Sequence, residues 1–357
     1  MSKKQNVEVL FQQSHAPQLI TKKSGGEISV IIPLFKPDLV SLRTAISSVL
    51  NQTYLASEIL CVSDGIPLES EVSIFLNSIE GLRVIELPSN VGQGSARNRG
   101  MEVAAGEWVA FLDQDDYWFP QHLEYLITEC VQRSCTFAYT DIAFVNKDSL
   151  LINASSKNLL TSLNKFEPIK QTIASVFLHD LIIFPTSALI HKQSALGVGG
   201  FGEGYRGYED DYLFGKLILK FGDHAFIDEV TCAWRSHFEG TSLSLSMSKS
   251  RILYAEFLQE CLKKMEIDKG TVSPENIFER FYPLILSEFH GSYFNQNPNF
   301  LDFSNLCKSY LTMSAKYVKL SIRQRVLVFL ISHFNQKFLF RTISNVRRKF
   351  LIFKINL

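Results

Sequence analysis

Ile28-Ser-Val-Ile-Ile-Pro-Leu34 is followed by Lys36-Pro37-Asp38, and then by Leu39, Leu42, Ala45, Ile46, Val49 and Leu50 at helical spacing. A β-rich apolar run, a proline-aspartate start signal and a 3.6-residue period spell strand and then helix. The unit recurs. Glu58 to Ser63 reads as a second strand stopped by Asp64-Gly65, and Val72, Phe75, Leu76 and Ile79 mark a second helix. Arg83 to Leu87 reads as the third strand, Gly92 to Ala105 as the third helix, and Trp108 to Leu112 as a fourth apolar strand. This alternation predicts an α/β fold of right-handed βαβ units, with a mostly parallel sheet covered on both faces.

Beyond residue 120 the order loosens. Leu123 to Val131 reads as a helix and Phe137 to Val145 as a strand, while Leu150 to Lys170 shows no clear period. Leu181 to His191 is apolar with Pro185 inside, which predicts an edge or interrupted strand. Tyr212 to Phe221 reads as helix and Ala225 to Trp234 as strand; past residue 245 the period is helical. The expected organisation is a loose leader (1–27), an α/β catalytic domain (28–244) and a helical, basic C-terminal region (245–357).

Composition narrows the class. With 357 residues, 46% hydrophobic and 20% charged, the chain can bury a large core. No apolar run approaches the ~18 residues of a membrane-spanning helix, and the leader has no charged-then-apolar signal pattern. Cys61, Cys130, Cys135, Cys232, Cys261 and Cys307 form no C-x-x-C pair, which argues against structural zinc and a disulfide framework. A cytosolic protein is expected. The net charge of zero hides a split. Residues 303–357 hold eleven of the 36 basic residues and no acid, so the rest carries 25 basic against 36 acidic ones.

In an open parallel sheet the ligand lies outside the carboxyl ends of the strands. Here those ends deliver Pro33-Leu34-Phe35, Asp64-Gly65 and Asp113-Gln114-Asp115-Asp116, with Gly92-Gln93-Gly94-Ser95-Ala96-Arg97-Asn98-Arg99 opening a helix between them. Three crowded carboxylates after an apolar strand repel one another unless a cation compensates, and all-oxygen ligation suits Mg²⁺ or Mn²⁺. The alternative is a helix cap near Pro120, which needs one carboxylate rather than three. Glu209-Asp210-Asp211 opens another helix, where acids favour the dipole and a general base would be accessible. Gly202-x-Gly204-x-x-Gly207 matches a dinucleotide fingerprint but lacks the early strand it needs, so it reads as turns. His237, in Trp234-Arg235-Ser236-His237, is either structural or part of an anion or metal site.

Taken in order, Ile28–Phe35, Glu58–Gly65, Asn90–Gly100 and Ala110–Trp118 resemble the family 2 inverting glycosyltransferases of the GT-A fold, a Rossmann-like, mostly parallel sheet. Gly199-Gly-Phe-Gly-Glu203 with Tyr208-Glu-Asp210 resembles their acceptor-side motif, and Trp234–His237 resembles a loop that closes over the nucleotide. The likeness covers roughly residues 28 to 240. It implies that Pro33 and Phe35 line the nucleoside pocket, Asp64 accepts from the base and Arg97 lies near the phosphates. Asp113 and Asp115 would form the D-x-D metal pair, His237 would approach the metal or pyrophosphate, and Asp210, with Glu209 beside it, would be the catalytic base. Ser63 stands where members usually carry a further acid. The implied reaction moves a sugar from a nucleotide-sugar, foremost a UDP-sugar, to a glycan or lipid-linked saccharide in surface-polysaccharide synthesis. The rival reading is a non-catalytic nucleotide-binding module.

The basic tail interleaves its eleven cations with nine aromatics. It reads as a packed helical subdomain, as a peripheral helix on an anionic membrane, or as a nucleic-acid binder. The many Leu, Ile and Val at helical spacing favour the membrane, and no nucleic-acid partner is expected. The expected location is the inner face of the cytoplasmic membrane.

Overall fold

The computed structural model describes residues 26–156, 171–235, 244–265, 272–294 and 300–333. The chain divides into two compact units. The first comprises Met1–Val176, Asp180–Glu203 and Glu209–Thr241; the second comprises Phe177–His179, Gly204–Tyr208 and Ser242–Leu357.

The first unit is α/β. It runs β1 (Ile28–Leu34), α1 (Leu39–Leu50), β2 (Glu58–Ser63), α2 (Ser70–Asn77), β3 (Leu82–Glu86), α3 (Gln93–Val103) and β4 (Trp108–Phe111). Then follow β5 (Tyr117–Trp118), α4 (His122–Arg133), β6 (Phe137–Val145), β7 (Leu151–Asn153) and α5 (Ile173–Leu178), whose last two residues count with the second unit. The sequence continues through β8 (Ala188–His191), α6 (Lys192–Gly197), α7 (Glu209–Phe221) and β9 (His224–Arg235). The strand order is β3-β2-β1-β4-β8-β6-β9-β5, with β7 pairing β6.

Strands β3, β2, β1 and β4 pair in parallel, each reached through a helix, as the early alternation requires. All seven residues of β1 are buried, so both faces of the sheet are covered there. Asp38 starts α1 by accepting the Ser41 amide at 2.8 Å. The other half of the sheet is mixed, because β8 runs antiparallel to both β4 and β6, and β5 antiparallel to β9, while β6 and β9 are parallel.

The apolar stretch expected as an edge or interrupted strand is interrupted, and its paired part is interior. Pro185 falls in a 3₁₀ turn (Pro185–Ser187), where its missing N–H costs no ladder bond, and only Ala188–His191 pairs, between β4 and β6. The two-residue β5 was not legible at all. It is anchored by the Trp118 amide on Ser48 Oγ at 3.1 Å and by the Trp118 indole N–H on the Thr186 carbonyl at 2.7 Å.

The second unit is helical: α8 (Ser244–Lys264), α9 (Pro274–Phe294), α10 (Phe300–Ser314) and α11 (Ile322–His333). Its core gathers Tyr208, Tyr254, Leu258, Phe281, Phe289, Tyr310 and Leu311. Phe278 stacks on Tyr310 at 5.8 Å, and the Tyr310 hydroxyl donates to the Phe278 carbonyl at 3.0 Å. Arg251 on α8 pairs with Glu288 on α9. Among the described residues no helix is long and apolar enough to cross a membrane. Ile322, Val326 and Phe329 on α11 are exposed at helical spacing, beside Arg323 and Arg325. The remaining tail cations, from Lys337 to Lys354, lie outside the described residues.

Candidate active site

The carboxyl edge of the parallel strands is joined into a belt by specific bonds. At the end of β1, the Phe35 amide donates to Gln114 Oε1 at 2.9 Å and the Gln114 amide donates back to the Phe35 carbonyl at 3.0 Å. The Phe35 ring is left 45% exposed, open to stacking, whereas Pro33 is buried within the strand itself. At the end of β2, Asp64 is buried and accepts the Val91 and Gly92 amides at 2.7 and 3.0 Å. That carboxylate therefore fixes the loop that launches α3. Ser63 donates to the Ile66 carbonyl at 2.8 Å and holds the turn after it.

Helix α3 brings Arg97 and Gln93 onto Asp113, at 2.5 and 2.8 Å. Arg97 is 3% exposed and its guanidinium lies 5.2 Å from the centre of the Phe201 ring. Its Nε is buried without a hydrogen-bond partner. A buried cation with an unused donor beside a carboxylate is poised for a further anionic oxygen.

Helix α7 meets α3 end to end. A Cβ on Gly94 would sit 3.0 Å from Glu209 Cβ, tighter than side chains ordinarily pack, so glycine eases this approach. Asn98 ties the preceding segment down, accepting the Phe201 amide at 2.8 Å and donating to the Phe201 carbonyl at 2.9 Å. Gly200, at φ 67°, passes directly over the Asn98 amide, in a conformation side chains rarely adopt. Asp210 thereby sits in the first turn of α7. Its carboxyl is pushed up to about 6, first by burial and then by the charge of Glu209, with Arg97 pulling the other way. Asp211 is engaged elsewhere, accepting the Leu181 amide at 2.9 Å.

The acidic loop after β4 divides its labour. Asp113 faces α3, and Asp115 is half-buried. Asp116 is not available to a metal: it is 1% exposed and accepts the Thr186 hydroxyl at 2.7 Å and the Arg235 amide at 2.9 Å. Burial, and then the charges of Asp113 and Asp115, hold its carboxyl well above the usual range. Of the three crowded carboxylates, Asp116 is thus a structural anchor. Among the described residues no three His, Cys, Asp or Glu side chains converge as a metal-binding group. His237 lies outside the described residues.

Arg235, which the sequence suggested only as a companion to His237, fixes this loop from β9. Its Nε donates to the Asp115 carbonyl at 2.8 Å, and Nη1 donates to the Lys147 carbonyl and Ser149 Oγ at 2.7 and 3.0 Å. Asn98 and Gln114 were likewise not singled out, since a lone amide in a sequence announces nothing. The structure thus brings together Phe35, Asp64, Arg97, Asp113, Asp115, Glu209 and Asp210, with Pro33 in the strand beneath.

Residues 29–196 match the sequence family described as Glycosyl transferase family 2. This chain carries a family 2 glycosyltransferase domain. It is 28% identical over 124 residues to the Escherichia coli UDP-Glc:alpha-D-GlcNAc-diphosphoundecaprenol beta-1,3-glucosyltransferase WfgD, covering 35% of this chain and 49% of that protein. It is 32% identical over 126 residues to the putative teichuronic acid biosynthesis glycosyltransferase TuaG of Bacillus subtilis, covering 34% and 48%. The chain spans between 35% and 59% of the length of the first curated relatives it matches. The fold is that of S. aureus TarS 1–349, solved in complex with UDP-GlcNAc, at a TM-score of 0.59 and 15% identity over 85% of this chain and 84% of that one. The glycosyltransferase domain is therefore of the GT-A type, and its matched span ends before Glu209 and Asp210.

Proposed function

We propose that this chain is an inverting glycosyltransferase that moves a sugar from a UDP-sugar to a hydroxyl of a glycan or lipid-linked saccharide in surface-polysaccharide synthesis. The observation that carries this reading is Asp210. A carboxyl pushed up to about 6 at a helix start, beside Glu209 and within the field of Arg97, suits a general base working near neutral pH. Asp210 takes the proton from the acceptor hydroxyl as that oxygen forms its bond to the anomeric carbon. The bond from that carbon to the diphosphate oxygen breaks on the opposite face, so the centre inverts.

The other residues bind and orient. Phe35 offers a ring face to the base and Asp64 a carboxylate at the nucleoside end. Arg97, a buried cation whose Nε has no hydrogen-bond partner, is the positive charge for the diphosphate. Asp113 and Asp115 are the oxygen donors for Mg²⁺ or Mn²⁺, and His237 is a further candidate. Among the described residues these two carboxylates would hold the ion, leaving room for water and substrate phosphates. When bound, that ion neutralises charge developing on the departing diphosphate. The relatives' printed names, a UDP-glucose transferase to a lipid diphosphate and a teichuronic acid enzyme, support this donor and acceptor class. The basic C-terminal region serves attachment to the inner face of the cytoplasmic membrane, supported by the exposed Ile322-Val326-Phe329 stripe among cations.

The test is release of UDP from a panel of UDP-sugars, with saccharide acceptors, with and without Mn²⁺. Metal-dependent turnover of at least one donor is expected. Tight UDP binding without turnover of any donor would favour the non-catalytic module.

A further inference from the structure

Helix α4 ends in a way that pairs two cysteines. Ser134 takes the left-handed conformation (φ 52°), the Ser134 amide donates to the Val131 carbonyl at 3.3 Å, and the Cys135 amide to the Cys130 carbonyl at 3.1 Å. These are the two bonds of a Schellman cap, which sets the side chain near the helix end against that of the residue just past it. Apolar side chains usually meet there; here both are thiols. The cap sets the Cys130 and Cys135 side chains beside each other, and the Cys135 thiol donates to the Phe137 carbonyl at 3.3 Å. Both line one cavity of about 340 Å³, shared with Trp108, Thr136, His191 and Ser194. This cavity lies at the start of β4 and β6, the edge of the sheet opposite Asp113. The other cysteines sit on separate elements: Cys61 in β2, Cys232 in β9, Cys261 in α8 and Cys307 in α10.

We propose that Cys130 and Cys135 form an oxidisable dithiol that closes to a disulfide, with hydrogen peroxide as oxidant. Cys130 is 1% and Cys135 6% exposed, so an oxidant entering the cavity meets Cys135 first. Cys135 attacks first, because the Cys130 thiol beside it stabilises its thiolate. Its sulfur takes one peroxide oxygen as the O–O bond breaks, giving a sulfenic acid and one water. The Cys130 sulfur then attacks Cys135 Sγ, gives up its proton and expels the sulfenic oxygen as a second water. The two sulfurs lose two electrons and the peroxide gains them. A cellular thiol reductant reopens the bond. Closure would pin the end of α4 to the start of β6.

The experiment treats the reduced full-length protein with an equimolar amount of hydrogen peroxide, caps the remaining thiols with an alkylating agent, and digests it with trypsin without reduction. Arg133 lies between the two cysteines, so the bridge appears as two tryptic peptides joined through Cys130 and Cys135, separable by reductant. Cys261, the half-buried lone thiol, should be recovered alkylated. Cys130→Ser should abolish the joined species and leave Cys135 trapped by a sulfenic-acid probe. Recovery of both Cys130 and Cys135 alkylated, or oxidation of Cys135 beyond sulfenic acid while wild-type Cys130 stays free, would overturn the proposal.

Discussion

Glu209→Gln should move the acid limb of the pH–rate profile without removing the base. The Asp210 carboxyl is displaced from 3.8 to about 6. At ~1.4 kcal/mol per pH unit, that is roughly 3 kcal/mol against its ionisation. Burial is the largest cause and the Glu209 charge the next, while Arg97 and backbone amides pull the other way, so neutralising Glu209 recovers part of that displacement. The sign follows from the active form. Asp210 works ionised, so turnover rises as pH climbs through its pKa, and a lower pKa carries the limb to lower pH. The limb should therefore stand near pH 6 in the wild type and move acidward by about 0.5 to 1 pH unit in the variant. Gln keeps the size of Glu, so the contact with Gly94 survives. The assay is UDP release at saturating donor and acceptor from pH 4.5 to 8, with the metal held constant. An unmoved limb, or one displaced to higher pH, would refute the electrostatic account of Asp210.

Three further outcomes follow from the geometry. Gly94→Ala puts a Cβ 3.0 Å from Glu209 Cβ, and should lower kcat more than KM while costing about 1 to 2 kcal/mol of stability in urea unfolding. Arg235→Met leaves the Asp115, Lys147 and Ser149 acceptors without their donor, and should cost about 2 to 4 kcal/mol in the same assay, with Lys restoring only part because one ammonium cannot reach all three. The full-length protein should sediment with anionic liposomes, be partly released by high salt and ignore neutral ones, since each cation near an anionic surface contributes about 1 kcal/mol and is screened within ~8 Å. Equal binding to both vesicle types, or to neither, would leave α11 and the tail as a packed subdomain.

The parallel half of the fold was legible because each element carries its own period and punctuation. Ile28–Leu34 and Glu58–Ser63 are the strands the apolar runs mark out, and α3 begins one residue after Gly92. The mixed half was harder, because the place of β8 between β4 and β6 depends on long-range pairing rather than local pattern. Pro185 marks the interruption of that apolar stretch, but a proline does not tell an edge strand from one that begins just after it in the sheet interior. In the site, Asp113 and Asp210 stand out by their places at a strand end and a helix start, whereas Arg97 is singled out by the family resemblance alone. Asp116 was grouped with its neighbours because spacing shows how many carboxylates are present, not which way each one faces. Its partners, Thr186 and Arg235, lie 70 and 119 residues away. No local signal could have separated the anchor from the pair.

The central claim is that Asp210 is the base. It is tested most directly by comparing Asp210→Asn with wild type in two measurements on one preparation: sugar transfer, and Mn²⁺-dependent UDP binding by calorimetry. The base acts on the acceptor proton alone, so transfer should fall to background while UDP affinity stays within about threefold. Asp115→Ala, run beside it, should lose both. Appreciable transfer by Asp210→Asn would contradict the account and shift the base to Glu209.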